Sequence, residues 1–182
     1  MASRKVMSLV LLFAMVVDAS AYTFDEVVVE YWAGSGSNKA VVVIDFGVDS
    51  YAFGYRWEGG TTYGKDLMDT VNAAGSLDYT ATGGFLNAIS YSTYSNVGQG
   101  GWPTDWWSYF ISTNGQSWID SDEGFATRVL SDGVWDGWAH QTTSDWPPAH
   151  QPMTPIPEPV TLSLLGLGGV LIRRRPHNKL CG

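Results

Sequence analysis

Nine tryptophans and no cysteine lie in the 135 residues from Tyr22 to Ile156, a segment set between two apolar termini. A stretch without disulfides must be held by its hydrophobic core, and this length is enough to bury one. The nine indoles (Trp32, Trp57, Trp102, Trp106, Trp107, Trp118, Trp135, Trp138 and Trp146) are its largest apolar groups. At least five of them are expected in that core. The sole cysteine, Cys181, lies in the tail, so a cysteine nucleophile, an iron–sulfur cluster and a zinc–thiolate site are excluded from the segment.

Hydrophobic patterning gives the expected elements. Val27–Trp32 reads as a strand, and Ala40–Phe46 as a central strand buried on both faces. Tyr51–Trp57 returns as a hairpin partner. Leu67, Met68, Val71 and Ala74 recur on one helical face, predicting a helix from about Tyr63 to Ala74, capped by Thr61 or Thr62 and followed by Gly75. Leu77–Thr82 and Phe85–Tyr94 read as two further strands. Trp106–Ser112 and Gln116–Ile119 flank Asn114-Gly115, and Thr127–Leu130 and Val134–His140 flank Asp132-Gly133; both dipeptides are hairpin signals. Residues 144–156 carry four prolines and read as an extended linker. The expected fold is α+β: a mostly antiparallel sheet with one helix packed across a face, forming a single domain over residues 22–143. No Gly-x-Gly-x-x-Gly follows a strand, which argues against a nucleotide-binding fold.

Charge narrows the partners. Lys39, Arg56, Lys65 and Arg128 face 16 carboxylates in residues 22–156, a net charge of −12. Such a domain repels nucleic acid and anionic lipid and favours divalent cations and neutral or cationic ligands.

The termini read as addresses. Arg4 and Lys5 precede the apolar run Val6–Val17, and Ala19-Ser20-Ala21 is a small-residue cleavage site. Residues 1–21 are therefore expected to be a signal peptide engaging the general secretion machinery. At the other end, Pro157-Glu158-Pro159 leads into an apolar run, residues 160–172, then Arg173-Arg174-Arg175. That run spans only about 20 Å as a helix, against a hydrocarbon core of about 30 Å, so it is short for a lasting transmembrane helix. The arginines are expected to stay cytoplasmic.

Residues 157–182 resemble the PEP-CTERM sorting signal of Gram-negative bacteria. The resemblance implies an exosortase-type membrane protease as partner, an inner-membrane intermediate, and a final place at the cell surface or in the extracellular biofilm matrix. Seven residues, Pro176–Gly182, follow the arginines, more than such tails usually carry. Two internal segments, Tyr55–Gly59 leading into Gly64–Met68 and Trp106–Tyr109 with Arg128–Trp138, resemble domains of exported surface proteins. A helix after a short turn paired with a Trp/Tyr-rich hairpin is similar to the C-terminal domain of cobalamin carriers, without a residue-level motif.

Two constellations bear on chemistry. Asp120, Asp122 and Glu123 share one loop and suit calcium as hard oxygen ligands, although the full EF-hand spacing is missing. Trp102, Trp106, Trp107, Trp135 and Trp138 stand near glycine turns and carboxylates, a combination suited to sugar rings. Consecutive Trp106 and Trp107 point to opposite strand faces, as do Trp135 and Trp138. A carboxylate pair acting on a glycosidic bond would make a hydrolase, but no pair is specified, and neither G-x-S-x-G nor H-E-x-x-H occurs. No catalytic residue is assigned. The expectation is an exported, noncatalytic structural or binding component, with a carbohydrate or small-molecule binding module as the alternative.

Overall fold

The structure, a computed structural model, describes residues 22–156. The expected signal peptide, residues 1–21, and the expected sorting segment, with the Pro157-Glu158-Pro159 box, the apolar stretch 160–172 and Arg173–Arg175, lie outside the described residues. Among the described residues no helix is long and apolar enough to cross a membrane.

The fold is α+β. In chain order it comprises β1 (Val29–Gly34), β2 (Asn38–Asp45), β3 (Ser50–Trp57), α1 (Gly64–Ala74), β4 (Asp78–Thr82), β5 (Phe85–Tyr91), β6 (Tyr94–Val97), β7 (Trp106–Ser112), β8 (Ile119–Asp120) and β9 (Trp135–Gln141). Six strands form the main sheet in the order β1-β3-β2-β9-β7-β8, and β4-β5-β6 form a second, smaller sheet. Five strand pairs are antiparallel, while β1–β3 and β2–β9 are parallel.

The valine run explains the centre. β2 lies between β3 and β9, and Ala40 through Ile44 are completely buried. Val42 and Ile44 face one core with Leu67, Met68 and Val71 of α1; Val41 and Val43 face a second with Phe110, Trp118 and Trp135. Burying side chains of this size stabilises by about 1.5–3 kcal/mol each, which is why the run tolerates no polar residue.

β1 does not pair with β2. The connection from Gly34 to Asn38 crosses the end of β3, where a side chain on Gly36 (φ +140) would stand 2.1 Å from the Trp57 carbonyl. Only glycine passes there.

The helix starts one residue later than the periodicity predicts. Tyr63 is its N-cap, and Asp66 Oδ2 accepts the Tyr63 N–H at 2.9 Å, while Thr62 hydrogen-bonds Tyr55 OH instead. Gly75 ends α1 in an extended conformation, and its lack of a side chain admits the Tyr31 ring.

Three sequence expectations are corrected. Phe85–Tyr94 is not one strand: Ser92 takes positive φ (55°) and folds the chain into the β5–β6 hairpin. Asp132-Gly133 is not a hairpin turn. Both edges of β9 are occupied, by β2 and β7, so residues 127–130 have no edge to join. Asp132 Oδ1 instead accepts the Lys39 N–H at 2.8 Å, and Gly133 N–H donates to Lys39 O at 2.8 Å.

The third correction concerns residues 144–156, which are extended but docked. Pro148, Pro152 and Thr154 are buried. Met153 N–H donates to Asp45 Oδ2 at 2.7 Å, Gln141 Nε2 to His150 O at 2.6 Å, and Val28 N–H to Pro155 O at 3.0 Å. Ser50 Oγ also donates to Met153 O, and Thr154 Oγ to Gly115 O. With the N-terminal Tyr22–Val28 segment, this strap covers the sheet face opposite α1.

Candidate aromatic cleft

The open outer edge of β7 positions the candidate site. β8 pairs only Phe110 and Ile111, so Trp106 to Ser108 have no strand partner on that side. Beside them a cleft of about 800 Å³ opens between β7, the Gly83–Leu86 turn of the small sheet, and the loop from Asp120 to Thr127.

Its floor is aromatic. Tyr109 and Trp138 stack at 4.6 Å between ring centroids, and Phe125 meets Trp138 edge-on at 5.4 Å. Trp107 is buried, 5.3 Å from Phe46, with Nε1 donating to Val97 O at 2.7 Å. Trp106 is half-buried, and its Nε1 donates to Thr143 O at 2.8 Å. Trp102 and Trp146 also line the cleft and remain 67% and 73% exposed, which marks them as free stacking surfaces. The loop bearing Trp102 is anchored by Asp105, which bonds His140 Nε2 at 2.8 Å and accepts the N–H groups of Gly98 and Gly100. Burial pushes the Asp105 carboxyl upward, but these partners outweigh it and hold it below the ordinary range.

Asp120, Asp122 and Glu123 line the same cleft. Burial raises the Asp120 carboxyl, and the charge of Asp122 adds to the effect, against the Ser108 hydroxyl. Among the described residues no three His, Cys, Asp or Glu side chains gather as a metal-holding group.

Of the five tryptophans singled out from sequence, four meet here. Trp135 does not. It is 1% exposed on the other face of β9, its ring 4.8 Å from Phe24. Trp135 and Trp138 differ in parity along the strand and so face opposite cores. Five tryptophans are buried: Trp57, Trp107, Trp118, Trp135 and Trp138. Trp146, Phe85, Tyr109 and Phe125 were not anticipated in the cleft. Trp146 sits among prolines read as linker, and the exposed Phe85 directly after Gly83-Gly84 was the available hint for the turn.

Beneath the cleft floor lies a buried polar group. Tyr109 OH donates to Asp136 Oδ2 at 2.5 Å, and Arg128 Nε stands 3.6 Å from Asp136 Oδ1. That separation is too long for a hydrogen bond, so the guanidinium offsets only part of the burial cost. Burial pushes the Asp136 carboxyl up to about 6. The folded state therefore holds this proton more tightly than the unfolded chain, whose carboxyl titrates near 4. The resulting stabilisation, on the order of 3 kcal/mol, is complete below about pH 4 and is lost as pH rises through about 6. Asp136→Asn keeps an oxygen for Tyr109 and cannot ionise. Urea unfolding of both proteins across this range should show the wild type losing stability relative to the variant as pH rises; a constant difference would contradict it.

No protein-family model matches the chain, and no curated protein or solved structure shows significant similarity to it.

Proposed function

We propose that this protein is an exported, noncatalytic component of the cell surface or extracellular matrix that holds a polysaccharide in its aromatic cleft. The observation carrying this reading is the meeting of Trp102, Trp106, Trp107, Trp138 and Trp146 with Asp120, Asp122 and Glu123 in one cleft. Indole faces stack on the C–H faces of sugar rings, and the carboxylates accept hydroxyl hydrogen bonds. The volume, about 800 Å³, falls in the usual range for ligand sites. Export and sorting rest on the terminal sequences: residues 1–21 for secretion, then Pro157-Glu158-Pro159, the apolar run and Arg173–Arg175 for an exosortase-type protease.

Titration of the full-length chain, in nonionic detergent, with a panel of soluble oligosaccharides should change its tryptophan fluorescence. Replacing both Trp102 and Trp146 by Ala should weaken binding about tenfold, as expected for two lost stacking contacts. Both are mostly exposed, so the melting temperature should hardly change. Absence of a response to every oligosaccharide would sink the binding reading, and release of shortened products would replace it with a hydrolase.

A further inference from the structure

We propose that the cleft selects an amine-bearing polysaccharide, a hexosamine polymer with free, protonated amino groups, over neutral or N-acetylated chains. The inference rests on the polysaccharide-binding reading and names its substrate class.

Charge in the cleft is of one sign. Its charged lining side chains are Asp120, Asp122 and Glu123, and no Lys, Arg or His lines it. Asp122 and Glu123 are exposed and have no cationic partner among the described residues. Arg128, the cation nearest in sequence, is turned away to Asp136 and is only 20% exposed. The balance of residues 22–156 as a whole, four cations against 16 carboxylates, reinforces the field.

These facts separate the sugar chemistries. Ionised carboxylates only accept hydrogen bonds, so they repel uronic acids and sulfated sugars. A neutral hydroxyl satisfies them weakly. An ammonium group supplies three donors and a charge, giving shorter and stronger charge-assisted bonds. It also suits the indoles, whose faces attract cations. Burial is the main cause of the raised Asp120 carboxyl, and the Asp122 charge adds a smaller like-charge conflict that a bound cation relieves. Trp138, 3% exposed, forms part of the apolar floor under these carboxylates. The cleft thus combines flat apolar faces for a ring with a carboxylate wall for an amine.

The test uses the full-length chain in nonionic detergent, at mildly acidic pH and low salt. Three probes are titrated by tryptophan fluorescence and calorimetry: a glucosamine hexamer, its fully N-acetylated counterpart, and spermidine. The glucosamine hexamer should bind at least about tenfold more tightly than either other probe, since it alone combines rings with charge. The preference should shrink as salt is raised. Asp122→Asn with Glu123→Gln should abolish it, whereas Trp102→Ala should weaken both hexamers alike. Equal binding of the two hexamers, or a preference that survives the double variant, overturns amine selection and leaves polysaccharide binding intact. Spermidine binding as tightly as the glucosamine hexamer shows that only charge is read and overturns the sugar assignment. No response to any probe overturns this inference, while the reading beneath it falls only if the whole oligosaccharide panel is also silent.

Discussion

A chain ending at Thr143 is expected to lose much of the stability of this fold. The deleted strap fills a face that composition alone would leave as an ordinary sheet surface. Gly137 lies in the middle of β9, and a side chain there would meet Pro152 and Trp118, each at 2.7 Å. Removing Pro152 therefore uncovers the second core beside Trp118, Trp135 and Ala139. Asp45 is the sharper loss. It is 1% exposed, and its carboxylate accepts Gly47 N–H and Met153 N–H, both at 2.7 Å, with His150 Nε2 at 3.0 Å. Without the strap, two of those three partners disappear and a carboxylate that was satisfied is left beside apolar surface. Losing the Met153 hydrogen bond and the close His150 ring from a buried carboxylate, and uncovering part of a core, costs about 3–5 kcal/mol in total. For a domain of this size that corresponds to a fall of about 10–20 °C in melting temperature. Thermal unfolding followed by circular dichroism checks it. A fall of only a few degrees would mean that residues 144–156 act as the free linker their prolines suggest.

The second large effect is expected from Trp135→Ala. Its indole packs against Phe24 and lies under Gly115, where an added side chain would come within 3.0 Å of the ring. Truncation leaves a cavity that the surrounding β-branched residues of β2 cannot collapse to fill, at about 3–5 kcal/mol. Trp102→Ala, on the exposed wall of the cleft, should cost under about 0.5 kcal/mol. The pair of variants also separates function: Trp102→Ala should weaken ligand binding while sparing stability, and Trp135→Ala the reverse. Equal melting temperatures for the two would contradict the division of the tryptophans between core and cleft.

Much of the scaffold was legible because it follows local rules. The apolar run of β2 announced burial on both faces, and the i, i+1, i+4, i+7 pattern placed α1 within one residue. The Asn114-Gly115 signal located the reversal between β7 and β8, but the return strand expected over Gln116–Ile119 is only Ile119–Asp120, because Asn114 Oδ1 accepts the N–H groups of Gln116 and Ser117 and holds them in the turn. The Asp132-Gly133 signal, chemically equivalent, misled. Turn chemistry states that the chain reverses; it does not state which strand the next residues will find. β9 met β2 and β7, and Asp132 was left to hold the start of β2.

Sequence by itself determined the charge balance, the absence of disulfides, the dependence on an aromatic core, and the acidic loop beside tryptophan-bearing strands. Each of these is a property of composition or of neighbours along the chain. Tertiary structure decided which indoles the cleft receives and where the proline-rich segment goes. Alternation along a strand separates its two faces but does not say which face a distant segment will cover. Trp135 became core and Trp138 cleft floor because the strap and the N-terminal segment closed one side of β9. Met153 reaches Asp45 across 108 positions, a contact that no local pattern encodes.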